Sequence, residues 1–364
     1  MKDAFLLTRV LLRFDDPELD HSADLSAVAL TPDGNLWLGS DESLTVERLS
    51  TFAPNSYGKH QSFQIGNYVE LFNPEEEIDI EGLTYTDHYL WLTGSHSAKR
   101  KKASGQNPEK DIERLTTIKT ELNRYLLVRI PLVDGELRQS CPHPDHPESM
   151  LRAACLQKTK KRNILMQALK DDEHLGPFLT FPLPGKENGF DIEGFAIHSR
   201  GPRKPTRIFL GLRGPVLRGW AIMLELELEE KEPGVLTLKE LGKDGQLYKK
   251  HFVDLNGMGI RELYLYGDDL IILAGPTMAL EGTMRIFKLK DIVAVDTDSI
   301  HSQQSGNVEA LFDLPFQFGT DHAEGMSLFP CFGEDALIIV HDTPAPNRRP
   351  DKDSVFADVF RLNL

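Results

Sequence analysis

Cysteine is scarce in this chain. Its 364 residues include three, Cys141, Cys155 and Cys331. An odd count without a C-x-x-C pair excludes a complete disulfide framework, argues against a structural zinc site, and suits a reducing, cytoplasmic compartment. Positive charge is also short. Lys and Arg number 41 against 56 Asp and Glu, a formal net charge of −15. A chain this acidic is a poor partner for nucleic acid or an anionic membrane, so neither is expected. No apolar run reaches the roughly 18 residues of a membrane span. The N-terminal run from Phe5 is interrupted by Arg9 and closed by Arg13 and Asp15, with no small-residue cleavage site after it, so a signal peptide is not expected. There is no G-x-S-x-G, no P-loop and no G-x-G-x-x-G, which speaks against an α/β-hydrolase, a P-loop NTPase or a Rossmann enzyme.

What is present is a repeat. Five segments share one pattern: Asp24-Leu-Ser-Ala-Val-Ala-Leu, Asp79-Ile-Glu-Gly-Leu-Thr-Tyr, Asp191-Ile-Glu-Gly-Phe-Ala-Ile, Gly259-Ile-Arg-Glu-Leu-Tyr-Leu and His322-Ala-Glu-Gly-Met-Ser-Leu. Each is followed by turn chemistry, such as Pro32-Asp33-Gly34 or Gly267-Asp268-Asp269, and then by an apolar run such as Tyr89-Leu-Trp-Leu or Leu270-Ile-Ile-Leu. Each unit therefore opens as a β-hairpin whose second strand is covered on both faces. Units starting at residues 24, 79, 191, 259 and 322 leave three spacings of propeller-blade size and one, from 79 to 191, nearly twice as long. The expected fold is all-β, a single β-propeller domain with five blades, six being the alternative if residues 123–180 form a degenerate blade. The last unit is one strand short, and residues 4–14 have no hairpin of their own. An open edge would leave backbone groups unpaired, so the N-terminal strand is expected to close the last blade. Two insertions fill the long interval: a basic loop at about 97–122, opening with Lys99-Arg-Lys-Lys102, and a helical segment at about 145–175 in the second blade.

In a propeller, the start of the innermost strand and the end of the second strand lie on one face of the disc. Two polar sets then converge on one mouth of the central channel. The first holds Glu81, Glu193 and Glu324, with Ser26 and Arg261 in the equivalent places and Asp24, Asp79, Asp191, Asp321 and His322 beside them. The second holds Asp41, His96, Arg213, His341 and Asp342, with Arg218 shortly after. Carboxylates crowded at a channel must be neutralised by protons, by Arg or Lys, or by a cation. Glu81, Glu193, Glu324, Asp79 and Asp191 are the candidate ligands of calcium or another divalent cation. His96 and His341 are candidate catalytic bases, and Arg213, Arg218, Arg261, Asp41 and Asp342 candidate ligand-binding residues. The structural alternative is that Asp caps a turn, Gly permits close approach at the axis, and Glu bonds to a neighbouring blade's backbone. His143-Pro-Asp-His146 has a metal-ligand spacing but no further partner in the sequence.

With Asp79-Ile-Glu-Gly, Asp191-Ile-Glu-Gly, His322-Ala-Glu-Gly and Leu212-Arg-Gly-Pro laid out, the chain resembles a bacterial, propeller-like family of unknown function that repeats the Asp-Ile-Glu-Gly motif. The resemblance runs from about residue 20 to 364 and implies the fold but no activity. More distantly the motif looks like that of phytase-like and lactonase-like calcium propellers, whose calcium pattern has no residue-by-residue match here. Three functions are carried forward: a small-ligand or cation-binding module, a metal-dependent hydrolase of a phosphate ester or lactone, and a protein-interaction scaffold.

Overall fold

The computed structural model describes residues 3–15, 20–181, 183–201, 205–241, 245–362 and 364. Each repeat opens as the expected antiparallel hairpin. Its inner strands are Leu25–Leu30, Ile80–Thr86, Asp191–His198, Gly259–Tyr266 and His322–Leu328. Their partners are Leu36–Ser40, Tyr89–Gly94, Thr206–Gly214, Asp269–Gly275 and Ala336–Asp342. The inner strands pack against one another in cyclic order, the last lying against the first. Third strands follow at Thr45–Ala53, Leu127–Val133, Trp220–Glu232, Arg285–Leu289 and Ser354–Arg361. The architecture is all-β and propeller-like.

The middle of each second strand is apolar because it feeds two cores. Tyr89 and Trp91 point to a cluster shared with Phe195 and Leu210, while Leu90 and Leu92 point to one shared with Ala27 and Trp37. The same division places Phe209 with Leu263 and Ile272, Ile271 and Leu273 with Met326 and Leu337, and Ile338 and Val340 with Val28 and Leu36. The core is thus a ring of apolar layers between neighbouring sheets. Burying a Leu or Ile there contributes about 1.5–3 kcal/mol.

The chain ends meet as the open edge requires. Leu6–Arg13 runs antiparallel to Ser354–Arg361 from Thr8↔Val359 to Arg13↔Ser354, and also touches Ser56–Gln64 in parallel at Leu11↔Ser56 and Leu12↔Tyr57. The N-terminal strand therefore fuses the first and last sheets into one eight-stranded order.

Both insertions differ from expectation. Part of the segment read as helix, Met150–Arg152 and Ala154–Leu156, is strand. Ala154–Leu156 pairs with Leu127–Val133, so tertiary pairing overrides helix propensity there. Helix begins only at Ile164–Ala168, where the Asn163 side chain accepts from the Met166 amide, with a second short helix at Gly176–Thr180. The expected basic loop instead contains a helix, Pro108–Thr116. Asn107 caps it, Pro108 sits in its first turn, Glu109 and Asp111 follow, and Arg114 lies in the last turn. These are ordinary start and stop signals. No helix among the described residues is long and apolar enough to cross a membrane.

Candidate functional site

The Asp-x-Glu-Gly motif lies on a bulge. In every inner hairpin the register slips at the same place: around Ser26, Glu81, Glu193, Arg261 and Glu324. A bulge leaves its extra residue out of the ladder and re-aims the side chain. Four of the five bulge positions, Glu81, Glu193, Arg261 and Glu324, thereby converge on one another. The glycine after each Glu has a separate cause. A Cβ on Gly82 would lie 2.3 Å from the Phe195 Cβ, and one on Gly325 would lie 2.9 Å from the Ala27 Cα. The next inner strand occupies that space.

The axial side chains form an ion-pair chain on one side of the mouth. Arg213 pairs with Asp191 and, at 2.7 Å, with Glu193. Arg261 takes the other Glu193 oxygen at 2.9 Å and reaches on to Glu324. Burial raises Glu193 to about 7, even with the two guanidinium groups pulling it down. Both arginines stay firmly charged, because the carboxylates outweigh the desolvation. Asp79 has its own cation, Arg124, at 2.7 Å, and Arg124 is held by Ser97 at 2.8 Å and Ser95 at 3.3 Å. Burial still lifts Asp79 to about 6.

The other side has carboxylates without such partners. Asp41 and Glu81 make no hydrogen bond or ion pair among the described residues. Burial, then the nearby Glu324 and Asp79, push Asp41 up to about 8. Glu81 is raised well above its usual range by burial, then by Glu193 and Asp79. Asp24 rises to about 6 through burial and Asp342. Asp342 itself is held low: burial pushes it up, but bonds from His322 and Thr343 outweigh this.

A cavity of about 310 Å³ opens at this mouth. Arg213, Arg261, Glu324, His322 and Asp342 line its floor and wall. Lys102, from the inserted basic segment, and Lys186 line it too, so that segment extends to the mouth. Its neighbours are spoken for elsewhere: Lys99 pairs with Glu77 and Glu121, and Arg100 with Glu187. Met278, Leu280 and Phe316 form an apolar flank and are exposed. The opposite end of the channel is filled by Leu30, Leu83, Ile197, Leu265 and Met326 around a space of only about 120 Å³.

The sequence candidates sort as follows. Glu81, Glu193, Glu324, Asp79, Asp191, Arg213, Arg261, Asp41 and Asp342 come together at the mouth. Arg218 stands apart, exposed on the Leu217–Trp220 turn. His96 is buried with both ring nitrogens engaged, one by the Gly94 carbonyl at 2.8 Å and the other by Asn163 at 2.8 Å. His341 is buried beside Arg348, Asp358 and Asp321. Burial lowers both histidines to about 4, so both are neutral near pH 7. Among the described residues, the triads of ligand atoms close enough to share an ion are His21–Glu47–His60 and His88–His143–Asp145. The five mouth carboxylates expected to hold calcium form no such group; arginines pair four of them, Asp79, Asp191, Glu193 and Glu324.

Sequence reasoning missed Arg124, which sits unremarkably before an apolar strand, and Glu262. Glu262 replaces the motif glycine in the fourth repeat. Its carboxylate accepts from the Phe195 amide at 3.0 Å and the Leu263 amide at 2.8 Å, bracing two repeats. Ser26 braces its neighbour in the opposite sense, its hydroxyl donating to the Ile80 carbonyl. Their signal was the departure from the motif itself.

The chain belongs to the family described as "Protein of unknown function (DUF3616)", which matches residues 24–358. No curated protein matches it. Among solved structures it is similar to virginiamycin B lyase from Staphylococcus aureus, at 11% identity over 98% of this chain and 99% of that one, with a TM-score of 0.37. It is also similar to the PQQ-bound aldose sugar dehydrogenase from Streptomyces coelicolor, at 12% identity over 98% and 99%, TM-score 0.37. A third is MPT-4, a mannose phosphorylase from Leishmania mexicana, at 9% identity over 98% and 88%, TM-score 0.39.

Proposed function

We propose that the chain is a single-domain, five-bladed propeller that binds a small polar ligand at the mouth of its channel, and that the ligand presents a positive charge to the side formed by Asp41, Glu81 and Asp24. Inner strands that meet in cyclic order support the blade count. One observation carries the ligand reading. Each arginine at the mouth already has its carboxylate, whereas Asp41 and Glu81 have no cation of their own. A crowded carboxylate is stabilised by a proton or a positive charge. An organic ammonium group fits better than calcium alone, which takes six to eight oxygens. Lys102 and Lys186 on the rim would hold an anionic end, and Met278, Leu280 and Phe316 an apolar one.

The test is a thermal-shift screen of amines, amino acids and amino sugars beside calcium and plain carboxylates. A ligand at 100 times its Kd stabilises the native state by about 2.7 kcal/mol. The reading expects cationic compounds to raise the melting temperature, with the shift lost in Asp41→Asn and Glu81→Gln. Stabilisation by anions alone, undiminished in both variants, would overturn it. The hydrolase alternative has less support, since His96 and His341 are turned into the protein rather than toward the cavity.

A further inference from the structure

We propose that the chain has a second, separate site, a transition-metal site of the zinc class on the face opposite the mouth, with His88, His143 and Asp145 as ligands. His88 is the second residue of the Asp87–His88 turn between Ile80–Thr86 and Tyr89–Gly94, where both residues have left-handed φ, 49° and 62°. That fixed turn points away from the mouth. His143 and Asp145 lie on the loop joining Ser140–Pro142 to Met150–Arg152. Backbone bonds close this loop: the His146 amide donates to the His143 carbonyl at 3.2 Å, Ser149 to His146 at 2.8 Å, and His143 to Ser149 at 2.9 Å. Two rigid turns thus meet.

One ligand atom from each of His88, His143 and Asp145 falls within 4.8 Å of the others. The His88 Nε2 lies 2.8 Å from an Asp145 carboxylate oxygen. The His88 and His143 rings are 5.1 Å apart between centroids, and the His146 ring stands 5.1 Å from that of His143, a fourth candidate. Two imidazoles and one carboxylate are a borderline-soft donor set, suited to zinc and poor for calcium. Three ligands leave a coordination position open. An entry path exists. His143 and His146 line a cleft of about 490 Å³ shared with Tyr89, Trp91, Arg129 and Glu230.

The competing account is a hydrogen-bonded staple, since the Asp145 amide also donates to the His143 Nδ1 at 3.1 Å. A staple needs one histidine, and this corner gathers three. The other triad, His21–Glu47–His60, meets the same distance condition elsewhere in the chain. In that triad His60 bonds Glu47 at 2.5 Å through one nitrogen and accepts from the Asp15 amide at 3.3 Å through the other, and the variants below separate the two triads.

The test is titration of tag-free full-length protein with Co²⁺, read by visible absorption, followed by displacement with Zn²⁺. The proposal expects one equivalent bound with the intense bands of a low-coordinate site. His143→Ala and Asp145→Asn should each weaken binding about tenfold or more, while their metal-free melting temperatures stay near wild type. No absorption change, or binding that survives both substitutions, overturns the proposal. Binding abolished by His60→Ala instead would also overturn it, assigning the ion to the other triad.

Discussion

The two sides of the channel mouth are built from the same repeat and solve its charge problem differently. On one side, Asp191, Arg213, Glu193, Arg261 and Glu324 alternate in sign, each carboxylate touching a guanidinium. On the other, Asp24, Asp41 and Glu81 lie close enough to neighbouring carboxylates to be raised by them, with no cation bonded to them among the described residues. The difference rests largely on one replacement. Where the second, third and fifth repeats place Glu on the bulge, the fourth places Arg261. The paired side is a closed structural element, and the unpaired side remains able to respond to protons or to a ligand.

The largest expected effect comes from breaking the paired side. Glu193→Gln removes the carboxylate held by two buried arginines. Removing one partner of a buried pair costs about 3–5 kcal/mol. Urea unfolding should show this as a lower midpoint with an unchanged slope. An unchanged midpoint would mean that water, rather than Glu193, satisfies the arginines.

Arg124→Ala should cost less, about 1.5–3 kcal/mol, the range for a hydrogen bond to a charged group. It converts Asp79 into a residue of the unpaired kind. It should therefore also make stability more sensitive to alkali, which melting curves at pH 5 and pH 9 would detect.

Asp41→Asn acts in the opposite direction. Asp41 is raised to about 8 in the folded chain, so the native state holds its proton more tightly than the unfolded chain does. Its contribution is present below the unfolded value near 4 and is lost as pH rises through 8. The Asn variant should gain on wild type by on the order of 1 kcal/mol at pH 9, after allowance for solvent screening, and show little difference near pH 4. An equal shift at both pH values would contradict the charge account.

The smallest effect is expected from Lys186→Ala on the rim, within about 0.5 kcal/mol in stability. Only ligand affinity should change, by less than tenfold.

Much of the fold was legible because hairpins are local. Turn residues, apolar second strands and the spacing of the motifs gave the hairpins and the shared face, and the missing last strand located the role of Leu6–Arg13. The insertions were misread for opposite reasons. At Met150–Leu156 an apolar stretch suited to helix was recruited into strands, Met150–Arg152 by Ser140–Pro142 and Ala154–Leu156 by Leu127–Val133, the latter a partner no local pattern reveals. At Pro108–Thr116 the capping signals were present in the sequence and were overlooked because the segment is so polar.

The candidate site divides along the same line. By itself the sequence determined which residues sit at the start of each inner strand, since period-two patterning and turn chemistry act over a few residues. It also determined that the repeat breaks at Ser26 and Arg261. Only the tertiary structure decided that each break lies on a bulge, that Arg213 pairs both Asp191 and Glu193 while Arg124 arrives from a distant loop to pair Asp79, and that Asp41 and Glu81 are left without partners among the described residues. Ion pairing depends on distances of a few ångströms between strands far apart in the chain, and those distances are set by how the sheets close into a ring.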